Sequence, residues 1–174
     1  MGRSPADSGA NATGRPLCVL LLDENPDGRE AVAQELRDVF PAVDGTDALD
    51  RDALTLAASN HTYDVLVTDH MLTWALGDDV LRISKKHAPA CPVIRFTASG
   101  WEDIAVAAMK AGFDDYVVRD DRGLSLVSAA VQSGINRQAT GVDSPVVEPD
   151  AQMQLEELRS VLAGARRLVG HADV

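Results

Sequence analysis

Between residues 17 and 138, short apolar runs closed by a polar residue alternate with segments of helical periodicity, five times over. This alternation constrains the fold more than any other feature of the chain. Leu17-Cys18-Val19-Leu20-Leu21-Leu22 is apolar throughout and ends in Asp23-Glu24-Asn25-Pro26. Uninterrupted apolar runs mark strands covered on both faces, as in a parallel sheet between two layers of helices. Pro26 suits the first turn of a helix, and Ala31, Val32, Leu36, Val39 and Phe40 follow at helical spacing. The same pattern returns in Asp64-Val65-Leu66-Val67-Thr68 before Asp69, in Pro92-Val93-Ile94-Arg95-Phe96 before Thr97, and in Tyr116-Val117-Val118 before Arg119. A second strand near Ala42-Val43 is the weakest signal. Helices are predicted over about 50–59, after Gly77, from Glu102 to a C-cap at Gly112, and over about 124–137. Strand and helix in strict alternation give an α/β fold, a doubly wound five-stranded parallel sheet.

The 174 residues suffice for one domain with attached tails. Residues 1–16 read as a flexible arm of small and polar residues, 17–138 as the domain, and 139–149 as a linker. In 150–174 an extra C-terminal helix is predicted, with Leu155, Leu158, Leu162, Ala165 and Val169 at 3-4-3-4 spacing. That spacing suits a coiled coil that forms a homodimer, a helix packed on the domain, or the start of a downstream domain. No apolar run is long enough to cross a membrane, and no secretion signal opens the chain, so a cytoplasmic location is expected. Cys18 and Cys91 lack the number and spacing of a disulfide framework or zinc site and read as small buried residues.

The formal charge of −11 disfavours nucleic acid as a partner of this chain alone. Its make-up is 20 Asp and 7 Glu against 13 Arg and 3 Lys. Such Asp-rich, Lys-poor surfaces resemble those of halophilic archaeal proteins, in which salt screens the self-repulsion.

In doubly wound sheets, functional groups gather at the carboxyl ends of the strands. Those ends carry Asp23 and Glu24, Asp69, Thr97, and Arg119. Converging carboxylates need a counter-charge, which Mg²⁺ supplies through oxygen ligands while keeping some waters. A carboxylate is also a competent nucleophile toward phosphorus. Phosphoryl transfer asks chiefly for positioning and charge neutralisation, and a cation, a hydroxyl and Mg²⁺ meet that need.

The order of these groups, with Asp69-His70-Met71-Leu72 through Gly77, Phe96-Thr97-Ala98 and Ala111-Gly112-Phe113-Asp114-Asp115-Tyr116, resembles response-regulator receiver domains of two-component signalling. The similarity spans about residues 17–138 and implies a flavodoxin-like receiver fold. It implies that Asp69 is the phosphoacceptor for a histidine kinase, with Asp23, Glu24, Asp69 and the backbone carbonyl of Met71 as Mg²⁺ ligands. Thr97 matches the switch hydroxyl and Tyr116 the switch aromatic. The face of the fourth helix, fifth strand and fifth helix would then engage a downstream protein or output domain. Self-catalysed phosphoryl transfer on its own aspartate, rather than enzymatic turnover, is implied.

Two positions depart from the family. Arg119-Asp120 stands where the family has Lys-Pro, so a trans peptide and an altered loop are expected there. Thr73 replaces another usual Pro. Arg119 either contacts the phosphoryl group or pairs with Asp69 and holds the site shut. The latter suits a pseudo-receiver, a phosphorylation-independent interaction module. A haloacid-dehalogenase-like phosphatase would want an Asp where Met71 stands, and no Gly-rich loop after the first strand supports nucleotide binding. His70 reads as a residue on the rim of the site, while Trp74 and Trp101 fit either a place beside the site or packing under loops.

Overall fold

The computed structural model describes residues 15–98, 102–120 and 122–141. Ten elements follow one another: β1 (Leu17–Leu22), α1 (Pro26–Val39), β2 (Val43–Asp47), α2 (Arg51–Ser59), β3 (Val65–Thr68), α3 (Gly77–His87), β4 (Val93–Thr97), α4 (Glu102–Ala111), β5 (Asp115–Val118) and α5 (Gly123–Thr140). The strands form one parallel sheet in the order β2-β1-β3-β4-β5. The expected flavodoxin-like receiver fold is present.

Two apolar layers hold the helices to the sheet, and the period of two along β1 assigns its residues to them. Leu17, Val19 and Leu21 pack with Val32 and Leu36 of α1 and Val127 and Val131 of α5. Leu20 and Leu22 face the other way, onto Leu54 of α2, Val80 and Leu81 of α3 and Ala108 of α4. Each strand buried on both sides therefore reads as a continuous apolar run.

β2 is the exception. It pairs only with β1, from Leu17↔Val43 to Leu21↔Asp47, and Asp44 to Asp47 are all exposed. Its sequence, Val-Asp-Gly-Thr-Asp, carries no strand pattern because little of it is covered. β5, at the opposite edge, begins with Asp115.

Local chemistry sets the helix ends. Asn25 caps α1 by accepting from the Asp27 amide at 2.9 Å, and Asp50 caps α2 by accepting from Ala53 at 2.7 Å. Gly112 follows α4 at φ +107°, and Gly141 closes α5 in the left-handed region. α5 continues three residues beyond the predicted Arg137. Among the described residues no peptide bond is cis, so the Arg119–Asp120 link is trans as expected. Most of the predicted arm, most of the linker and the C-terminal helix lie outside the described residues; at the end of the arm, Arg15 pairs with Asp64.

The chain leaves β1 for the edge strand β2, then crosses back to β3 on the other side of β1. This reversal puts the carboxyl ends of β1 and β3 side by side, the usual place for a ligand crevice in an open α/β sheet.

Candidate phosphorylation site

The register Leu22↔Thr68 makes Asp23 and Asp69 the next residues on adjacent strands, and the Asp69 amide donates to the Leu22 carbonyl at 2.8 Å. Both aspartates line a small cleft with Gly28 and Arg29 of α1, Thr68, and Arg119. Arg119 arrives from the end of β5, where its amide donates to the Thr97 carbonyl at 2.7 Å.

Within the cleft, Arg119 pairs through Nη2 with Oδ2 of Asp23. The partner is Asp23, not the Asp69 that the sequence offered as the resting ion pair. The guanidinium carbon also lies 4.8 Å from the centroid of the Phe96 ring, a cation–π contact. The other oxygen of Asp23 accepts from the Asn25 amide at 2.8 Å, and its backbone carbonyl accepts from Arg29 at 2.6 Å. Oδ1 of Asp69 accepts from the following amide, that of His70.

Glu24 turns elsewhere. Its Oε1 accepts from the Thr73 amide at 2.7 Å and the Thr73 hydroxyl at 2.9 Å. The replacement of the family's Pro therefore has a consequence that the sequence did not reveal, since proline lacks the N–H and the hydroxyl that hold this carboxylate. Met71 is exposed and its backbone bridges to Leu76, which closes the loop after Asp69 on itself.

Thr97 is buried at the end of β4, in register with Val118. Tyr116 is half-buried on β5, in register with Arg95. Burial pushes the Tyr116 phenol above its ordinary value; Arg95 pulls it down and Asp69 adds to the rise. His70 is partly exposed, but its Nδ1 is buried without a hydrogen-bond partner. Trp74 packs partly against the layer of α2, α3 and α4, and Trp101 lies outside the described residues.

Among the described residues, no three His, Cys, Asp or Glu side chains form a ready-made metal cage. The two carboxylates that share the cleft still suit Mg²⁺, which is commonly held by one or two carboxylates and completes its shell with water.

The family model described as "Response regulator receiver domain" matches residues 19–130. The chain belongs to the receiver-domain family. A relative in Mycobacterium tuberculosis, "Probable transcriptional regulatory protein TcrX", is 31% identical over 147 residues, covering 84% of this receiver chain and 60% of the relative. "Response regulator protein FleR" of Pseudomonas aeruginosa is 29% identical over 149 residues, or 83% of this chain and 30% of that protein. This chain thus spans less than two thirds of the length of either relative. Among solved structures, a receiver domain from Clostridium thermocellum superposes with a TM-score of 0.61 at 27% identity, covering 71% of this chain and 98% of that one. The receiver domain of sensor histidine kinase PA1611 from P. aeruginosa, with a magnesium ion coordinated in its active-site cleft, has the same fold at 20% identity and a TM-score of 0.60, over 70% of this chain and 99% of that one. Among the described residues of the receiver, no helix is long and apolar enough to cross a membrane.

Sequence reading singled out Asp23, Asp69 and Arg119, and the fold brings all three into one cleft. It overlooked Gly28, which lines that cleft and carries no side chain to announce it.

Proposed function

We propose that this receiver is a phosphorylation-dependent switch in which Asp69 takes a phosphoryl group from a histidine-kinase phosphohistidine. The observation that carries this reading is the placement of Asp69 at the sheet's reversal point, beside Asp23 and within one cleft with Arg119. A carboxylate oxygen of Asp69 attacks phosphorus, the P–N bond to the donor imidazole breaks, and its electron pair leaves with that ring. Asp23 and Asp69 would hold Mg²⁺ with the Met71 carbonyl, and Glu24 would act from beside Thr73. When bound, Mg²⁺ neutralises charge on the phosphoryl oxygens. Arg119 turns from Asp23 toward the new phosphate, which matches a planar guanidinium better than a single carboxylate oxygen does. Hydrolysis returns the group to water, so the chain modifies itself rather than turning over a substrate.

The readout face is α4, β5 and α5. A groove between β5 and α5, lined by Tyr116, Val118, Leu126 and Ala129, offers apolar surface for a downstream protein or output domain, and Thr97 and Tyr116 would couple it to the phosphoryl group.

Intact mass after incubation with acetyl phosphate and Mg²⁺ tests the proposal. One added phosphoryl group is expected on the wild type and none on Asp69→Asn, with the fold unchanged. A phosphorylated Asn variant would refute the acceptor assignment. A folded wild type that takes up nothing would point to a phosphorylation-independent interaction module.

A further inference from the structure

Gly28 sits in the first turn of α1 against the cleft. A Cβ built there meets Nη1 of Arg119 and Oδ2 of Asp23, each at 2.7 Å. Real Cβ atoms do not approach other groups so closely, so the Arg119–Asp23 pair keeps its present form only while residue 28 lacks a side chain. Backbone conformation does not explain the glycine: it lies within the helix Pro26–Val39 and is absent from the positive-φ positions. Glycine gains nothing over alanine at a position with ordinary helical backbone, so this residue has no local conformational reason.

Both oxygens of Asp23 are engaged, Oδ1 by the Asn25 amide and Oδ2 by Arg119. A cation seeking this carboxylate competes with the charge of the guanidinium already seated on Oδ2. We propose that Gly28 is a positioning residue of the phosphorylation site: its missing side chain is the space in which Arg119 docks on Asp23, and residue 28 thereby sets how readily Asp23 passes to a divalent cation. The inference rests on the reading of Asp23 as a cation ligand. It also accounts for an arginine where the family has lysine, because the longer, forked side chain needs the room that Gly28 leaves.

Asp23 is short and tied to Asn25, whereas Arg119 has a long flexible stem and an Nε with no hydrogen-bond partner. A methyl group at position 28 therefore displaces chiefly Arg119, with the Asp23 carboxylate turning only enough to clear it, and frees Oδ2 from its cation. Calorimetric titration of Mg²⁺ into the unphosphorylated full chain tests this, using wild type, Gly28→Ala, Arg119→Met and the double variant. Each single variant is expected to bind Mg²⁺ ~2- to 5-fold tighter, the range of a partly exposed ion pair. In the Arg119→Met background, Gly28→Ala should give no further tightening. The same gain in both backgrounds, or weaker binding in both, would overturn the proposal, since the methyl group would then act without Arg119. If Mg²⁺ binds all four proteins equally, residue 28 has no such role; if it binds none, the metal reading itself fails. Should Gly28→Ala not fold, Gly28→Ala/Arg119→Lys decides: the single amine of lysine lacks the Nη1 atom that meets residue 28, so restored folding supports the steric match and continued failure overturns it.

Discussion

Arg95 brings a full positive charge into the core of β4 at 2% exposure. Its guanidinium carbon lies 4.0 Å from the Phe113 ring centroid, and it pairs with Asp78 at the start of α3. Gly77 makes that path available: a Cβ there would stand 3.0 Å from Nη2 of Arg95 and 3.2 Å from the Asp69 carbonyl. The pair links the strand that ends in Thr97 to the loop that follows Asp69. Its energetics are asymmetric, because Nε of Arg95 has no hydrogen-bond partner while Asp78 remains 65% exposed. Arg95→Met, similar in length and apolar, should leave stability unchanged or raise it by about 1–2 kcal/mol. Asp78→Ala strands the buried guanidinium and should cost about 1–2 kcal/mol, less than a fully buried pair because water reaches the carboxylate. Urea midpoints of the two variants check both signs. The sequence pattern marked Arg95 as a strand position, yet nothing in the local pattern announced a charge inside the core, because its partners come from a distant helix and turn. The Glu24–Thr73 contact was hidden for the same reason: the residues are 49 positions apart and meet only after β1 and β3 pair.

At the scale of elements, legibility followed coverage. β1, β3 and β4 were readable because helices bury both faces, whereas β2 showed only its first residue because the others face solvent. Helix starts were legible at Pro26, near Asp50 and at Gly77, although only the first two have a side-chain cap, from Asn25 and Asp50, and α3 has no side-chain cap bond. The Asp50 cap lies on α2, away from the residues that line the cleft. Asp50→Ala should therefore cost about 1 kcal/mol, the usual worth of a lost N-cap. Chemical unfolding checks the loss, and phosphoryl uptake at Asp69 should stay at the wild-type rate. A slowed uptake would mean that α2 communicates with the acceptor loop.

For the whole molecule, the charge of −11 acts as a distributed repulsion that salt screens over a Debye length of about 8 Å at 0.15 M and 3 Å at 1 M. The melting temperature is expected to rise as KCl is raised from low to molar concentration, and a flat or falling trend in thermal scans would remove the argument for salt adaptation. Salt that quiets repulsion within the chain also quiets repulsion between chains, which invites association. The two edge strands, with Asp44 and Asp47 on β2 and Asp115 on β5, bear on that problem. A neighbouring molecule that extends the sheet at either edge has to strip water from Asp44 or Asp115 and crowd the Asp47–Arg29 pair. Unlike long-range repulsion, that dehydration cost survives high ionic strength. The residues that made β2 hard to read would thus oppose edge-to-edge pairing at any salt concentration high enough to screen the net charge.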